Sequence, residues 1–261
     1  YTFTADNTIS IASAGTLKIP NNGTFNADGQ LTTSGTIDFT GSGSQGDLIC
    51  SSTSANTFAT LDDAAGTVTF DASSGGQTVP AEAFYNLTVN NTHSSGLTLG
   101  GNASVAGTLT FTAGDITTST NVLTLGVNAS AVSGPTDDKH VNGFCAKTTA
   151  QNSAYYILPI GNGSIYRPLQ IKPSTTSNTT FTTKFFHSRY SDGTVGSGLD
   201  HVSGYYSGGD GSGYYYDIQK SGTADPILKL TWTNSNQYGT SSNNTTSVSD
   251  LVFARWGGSQ W

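Results

Sequence analysis

The sequence predicts an all-β protein, an N-terminal β-solenoid-like repeat region followed by an antiparallel β-sandwich. Three observations carry this expectation. Thr, Ser and Gly (41, 33 and 32 residues) fill 106 of the 261 positions, and the Ala-, Leu-, Glu- and Lys-rich windows that favour helices are almost absent. Short runs alternate apolar and polar residues between Gly, Asn and Ser turns, the period of half-buried strands. One of these runs is an internal repeat.

The repeat opens on Gly-Thr and continues apolar, any residue, apolar or small. It occurs as Gly15-Thr16-Leu17-Lys18-Ile19, Gly23-Thr24-Phe25-Asn26-Ala27, Gly35-Thr36-Ile37-Asp38-Phe39, Gly66-Thr67-Val68-Thr69-Phe70 and Gly107-Thr108-Leu109-Thr110-Phe111. Strands this short bury little surface alone. Stacked coil on coil they share one narrow core and leave Thr and Asn ladders outside, which is the logic of a solenoid. The step from Gly15 to Gly35 fits one coil, whereas the later copies are irregularly spaced. A hairpin-rich sandwich is the competing reading for this half.

The composition changes near residue 130. Residues 1–130 hold nine acids and a single base, Lys18; residues 131–261 hold eight acids and nine bases. Aromatic residues double from nine to eighteen across the same point. The turn-rich stretch Ala131 to Asp138 reads as the boundary, giving a repeat region over 1–130 and a sandwich over 131–261. Strands of the second region are expected over Ala154–Ile160, Tyr166–Lys172, Thr179–His187, Ile227–Thr233 and Asp250–Trp256.

Charge narrows the function. The net charge is −7 and charged residues are only 10% of the chain, so the clustered bases of a nucleic-acid binder are missing. No apolar run approaches the ~18 residues of a membrane-spanning helix. Tyr1-Thr2-Phe3-Thr4 carries no signal-peptide pattern, and the expectation is an exported chain whose signal has been removed. In that setting Cys50 and Cys145 are expected to form one disulfide, two separate buried thiols being the alternative.

Several stretches carry a resemblance. Phe84-Tyr85-Asn86-Leu87-Thr88-Val89-Asn90-Asn91, the run from Leu97 to Ile116, and Asn121-Val122-Leu123-Thr124-Leu125-Gly126 resemble a repeat of secreted and cell-surface proteins of Bacteroidetes-type bacteria. His140-Val141-Asn142-Gly143, Leu158-Pro159-Ile160-Gly161-Asn162-Gly163, Leu228-Lys229-Leu230-Thr231-Trp232 and Asp250 to Trp256 are similar to the module that commonly follows it. The resemblance covers most of residues 84–261. It implies an exported adhesin-like exoprotein, often sent through the type IX route, and brings no catalytic residues with it.

No catalytic set is legible otherwise. The acids are scattered, with Asp62-Asp63 and Asp137-Asp138 the only adjacent pairs, and turn capping accounts for them. His93, His140, His187 and His201 are dispersed. No cofactor is expected; the loops at Asp192 and Asp210 could offer oxygens to Ca²⁺ but lack a calcium-loop signature. Tyr205, Tyr206, Tyr214, Tyr215 and Tyr216 are weak candidates for a sugar-stacking surface, with core packing as the plain alternative.

Strand edges supply the functional expectation. The first strands, carrying Tyr1, Phe3, Ile9 and Ile11, alternate cleanly with one charge (Asp6) and no Pro, so nothing blocks pairing with another chain. The end at Trp261, with Trp256 in the last strand, reads as a sandwich short of one strand. Together these predict a non-enzymatic extracellular subunit, a homopolymeric filament or surface adhesin built by β-strand addition. A carbohydrate-binding or carbohydrate-processing surface module with glycan partners is the alternative. An ice-binding solenoid with a Thr-x-Thr face is the third.

Overall fold

The computed structural model describes residues 1–39, 46–62, 65–129, 131–186 and 215–230. All of its regular structure is β. The chain winds through about seven coils of a parallel solenoid with three flat faces. Coil one is β1 (Thr2–Ala5), β2 (Ile9–Ile11) and β3 (Thr16–Lys18); coil two is β4 (Thr24–Ala27), β5 (Leu31–Thr33) and β6 (Thr36–Asp38). Coil three holds β7 (Asp47–Cys50) and β8 (Thr60–Asp62); coil four β9 (Thr67–Phe70), β10 (Gln77–Val79) and β11 (Ala83–Phe84). Coil five is β12 (Asn86–Asn90), β13 (Leu97–Leu99) and β14 (Ala103–Val105); coil six is β15 (Thr108–Ala113) and β16 (Ile116–Leu125). Coil seven is β17 (Ala131–Ser133) and β18 (Val141–Thr149).

The first face is a seven-stranded parallel sheet, β1-β4-β7-β9-β12-β15-β17. Its register steps from Thr2 to Thr24, Asp47, Thr67 and Asn86, and from Thr108 to Ala131, so a coil takes 19 to 23 residues. This resolves the irregular repeat. Gly15-Thr16 and Gly35-Thr36 open strands of the third face, while Gly23-Thr24, Gly66-Thr67 and Gly107-Thr108 open strands of the first. Two interleaved series looked like one broken series.

Glycine opens these strands because the corner leaves no room for a Cβ, not because the backbone turns left-handed. A Cβ on Gly35 would strike the carbonyl oxygen of Gly15 in the coil beneath, and one on Gly66 would enter the Phe39 ring. Inward residues then stack in columns. Phe3, Phe25, Leu48, Val68, Leu87 and Leu109 are register partners on the first face, as are Ala27, Cys50, Phe70 and Val89 beside them. All but Phe3 are buried, in one continuous core. Where coils leave strand geometry, polar side chains satisfy the backbone: buried Gln77 donates to the Cys50 and Ser52 carbonyls (2.6 and 3.0 Å) and accepts from the Ala72 N–H (2.9 Å). Such groups cost free energy only when unpaired.

The parallel stack does not stop where the composition changes. β17 adds to β15, and β18 adds in parallel to β16, past residue 130. Beyond β18 come β19 (Tyr156–Leu158), β20 (Ile160–Asn162), β21 (Ile165–Tyr166), β22 (Leu169–Pro173), β23 (Thr179–Phe186), β24 (Tyr215–Gly222) and β25 (Pro226–Leu230). β20 still runs parallel to β18, then antiparallel pairing takes over in β20–β21, β18–β23–β24 and β19–β22–β25. The stretch Ala154–Ile160, expected as one strand, is two strands in two sheets. Pro159, which has no N–H to donate, separates them while its carbonyl accepts from Val141 (2.8 Å).

The expected disulfide is corrected. Cys50 and Cys145 are separate buried thiols, not bonded to each other. Cys50 lies on the first face between Ala27 and Phe70, and Cys145 in the column Ala103, Leu123, Cys145 four coils further on. Each fills the place of a small apolar residue.

Candidate functional site

The outer edge of coil one is where the described structure leaves most undone. Among the described residues β1, β2 and β3 each pair on one side only, with β4, β5 and β6. On the inner side, the Tyr1 carbonyl accepts from the Thr24 N–H (3.0 Å) and the Ala5 carbonyl from the Asp28 N–H (3.0 Å). Because strand backbone groups alternate sides, the N–H and C=O of Thr2 and Thr4 face outward along the free edge. By the same alternation Ser10, Thr16 and Lys18 face outward from the other two strands.

The apolar column is open at the same place. Tyr1 is 96% exposed and Phe3 62%, against 8% for Phe25 directly above it. The Phe3 ring stacks on Phe25 with centroids 5.3 Å apart and shows its other side to solvent. Ile9 and Ile11 are half-buried against the core. All four of these interface candidates therefore sit on one surface. Trp256 and Trp261 lie outside the described residues, as do Tyr205, Tyr206, Tyr214 and the loops considered for Ca²⁺. Tyr215 begins β24 opposite Phe186, and Tyr216 packs half-buried on Phe185 (5.3 Å) rather than standing as a free sugar platform.

Toward the opposite end lies a buried cation that the sequence did not single out. Lys147 occupies an inward position in the column Phe84, Val105, Leu125, Lys147 and is buried. Its Nζ donates to the carbonyls of Gly126 (2.6 Å) and Ala129 (2.8 Å) and lies 4.8 Å from the Tyr156 ring centroid. Burial pushes this ammonium down to about 8, with Cys145 opposing. Burial pushes the Cys145 thiol up to about 12, so it is a poor nucleophile.

A cleft of about 570 Å³ lies between the His93–Gly96 turn and the Asp137–Asp138 turn, with Asp115, Thr117 and Asn142 on its walls. Asp115 Oδ1 accepts the backbone N–H of buried His140 (2.8 Å). Burial raises the Asp115 carboxyl, and His140 pulls it back. Among the described residues no three His, Cys, Asp or Glu side chains form a metal-holding group. Comparison with known protein families, curated proteins and solved structures returns no match.

Proposed function

We propose that this chain is a non-enzymatic extracellular structural module, a subunit of a filament or surface adhesin that joins its neighbours by β-strand addition at coil one. The free edge of β1, with the outward backbone groups of Thr2 and Thr4 beside the exposed Phe3, carries this reading. Unpaired strand edges are templates for another chain, and soluble proteins ordinarily block them with charge or Pro. β1 has neither.

A second feature supports a polymer. The same sheet ends at β17, which among the described residues pairs only with β15. Its two edges run in the same direction, so one copy's β1 can extend another copy's β17 without reversing polarity. Such a head-to-tail contact repeats without closing and builds a filament. The resemblance of most of residues 84–261 to secreted surface repeats supports export as part of this reading. Deleting residues 1–11 is expected to abolish rods in negative-stain electron microscopy of the assembled material; unchanged rods would refute strand addition at this edge.

One observation favours a second reading, an ice-binding face. The register sets Thr67 and Thr69, Thr88, and Thr108 and Thr110 on three adjacent strands of the first face, pointing away from the core. The rank is interrupted at β7, where Asp47 and Ile49 hold the equivalent places. A thermal-hysteresis assay that gives no activity removes this reading.

A further inference from the structure

The sheet β19–β22–β25 carries a surface that assembly at coil one does not use. Its register puts alternate side chains of β19 and β22 on two sides, and on β25 Leu228 shares the inward side with buried Ile171 yet is 41% exposed. Tyr156 and Leu158 point inward, Tyr156 toward Lys147 and Leu158 into the core. The other side of the sheet brings together Tyr155, Ile157, Gln170, Lys172, Ile227 and Lys229: Ile157 pairs with Gln170 and Gln170 with Lys229, while Lys172 pairs with Ile227. Tyr155 joins this side through Lys172, whose Nζ lies 5.4 Å from its ring centroid. Tyr155, Ile157 and Ile227 are 40, 46 and 42% exposed. These three apolar side chains stand together rather than scattered singly.

Charge and size say what it fits. The six positions hold two lysines and no carboxylate, in a chain whose acids outnumber its bases 17 to 10. The nearest acid in sequence, Asp225 just before β25, is paired with Lys220. The face therefore selects an anionic partner. One strand of three residues and two of five, about 4.8 Å apart and rising about 3.4 Å per residue, span roughly 200 Å². A stable protein interface needs about 800 Å² from each side, so this face is too small to hold a folded protein by itself. A narrow, extended ligand matches it. An exposed tyrosine ring supplies an apolar platform for a sugar ring, and Gln170 with the two ammonium groups supplies donors for hydroxyls and carboxylates.

We propose that the outer face of β19–β22–β25 binds an anionic polysaccharide, with Tyr155 as the stacking platform and Lys172 and Lys229 as the carboxylate contacts. The proposal is independent of the filament reading, because its residues lie far along the stack from coil one. Affinity electrophoresis of the full chain in gels containing sodium alginate, a polyuronate, or neutral dextran tests it. Alginate should retard the chain and dextran should not. Lys172→Ala/Lys229→Ala should weaken retention about tenfold, and Lys172→Arg/Lys229→Arg should preserve it. Tyr155→Ala should also weaken it, with an unchanged thermal melt showing that each variant is folded. Wild-type mobility that ignores alginate, or equal retention of the double alanine variant, overturns the proposal. So does self-association in the absence of alginate that the lysine variants abolish, because the face would then serve a protein.

Discussion

The two ends of the stack are built from the same columns and finished in opposite ways. At coil one Phe3 sits in register beneath Phe25 yet is mostly in solvent, and among the described residues the three strands pair on one side only. At the far end the third face turns antiparallel through β23 and β24, the second face ends in the β20–β21 hairpin, and Lys147 gathers the last carbonyls. Among the described residues β17 on the first face, β21, β24 and the outer strands β19 and β25 also pair on one side only. What sets coil one apart is an inward column left in solvent, with Phe3 62% exposed against 8% for Phe25, and the proposed strand addition rests on that column together with the outward backbone groups of β1.

The contrast breaks most visibly inside one column. Leu87 and Phe3 belong to the same inward series, but Leu87 is fully buried. Leu87→Ala should cost about 2–5 kcal/mol in denaturant unfolding, the range for a buried Leu that leaves a cavity. Phe3→Ala should cost the folded monomer less than about 1 kcal/mol, because most of that ring's surface never leaves water. Equal losses at the two sites would mean that coil one is covered in the monomer.

The far end gives a second, somewhat smaller effect. Lys147 is held at about 8 by burial, below its usual 10.5. The unfolded chain therefore binds this proton more tightly, and the residue's contribution to stability rises with pH from about 8 to about 10.5. The full excursion is at most about 3 kcal/mol. The buried thiols and Tyr166 are raised and oppose this at higher pH, so the readout is the difference between wild type and Lys147→Met. That difference should move in favour of wild type from pH 7.5 to 10. A constant difference would show that the ammonium is not desolvated in the fold.

Most of the solenoid was legible because its signal is local. Each Gly-Thr run marks a corner and a strand, and alternation fixes which residues face the core. The assignment of runs to faces was not legible, since 20-odd residues per coil and three faces per coil leave more than one way to phase the copies. Lys147 was hidden for a related reason. In Phe144-Cys145-Ala146-Lys147 nothing in the residue types says which alternate set points inward, and a lysine is ordinarily read as outward. The edge position of Phe3, Ile9 and Ile11 was readable from clean alternation and the lack of Pro and charge in the first strands; their role in assembly is a proposal. The sheet β19–β22–β25 was not, because its exposed face combines residues from strands about 70 positions apart.

The central claim is tested most directly at the free edge of β1. Thr2 and Thr4 turn their N–H groups away from β4, so Thr2→Pro/Thr4→Pro removes the outward donors without removing a hydrogen bond of the chain's own sheet. Sedimentation velocity across a concentration series should show end-to-end oligomers for wild type and a single monomer boundary for the proline variant. A wild-type monomer at every concentration, or oligomers that survive both prolines, would contradict the account.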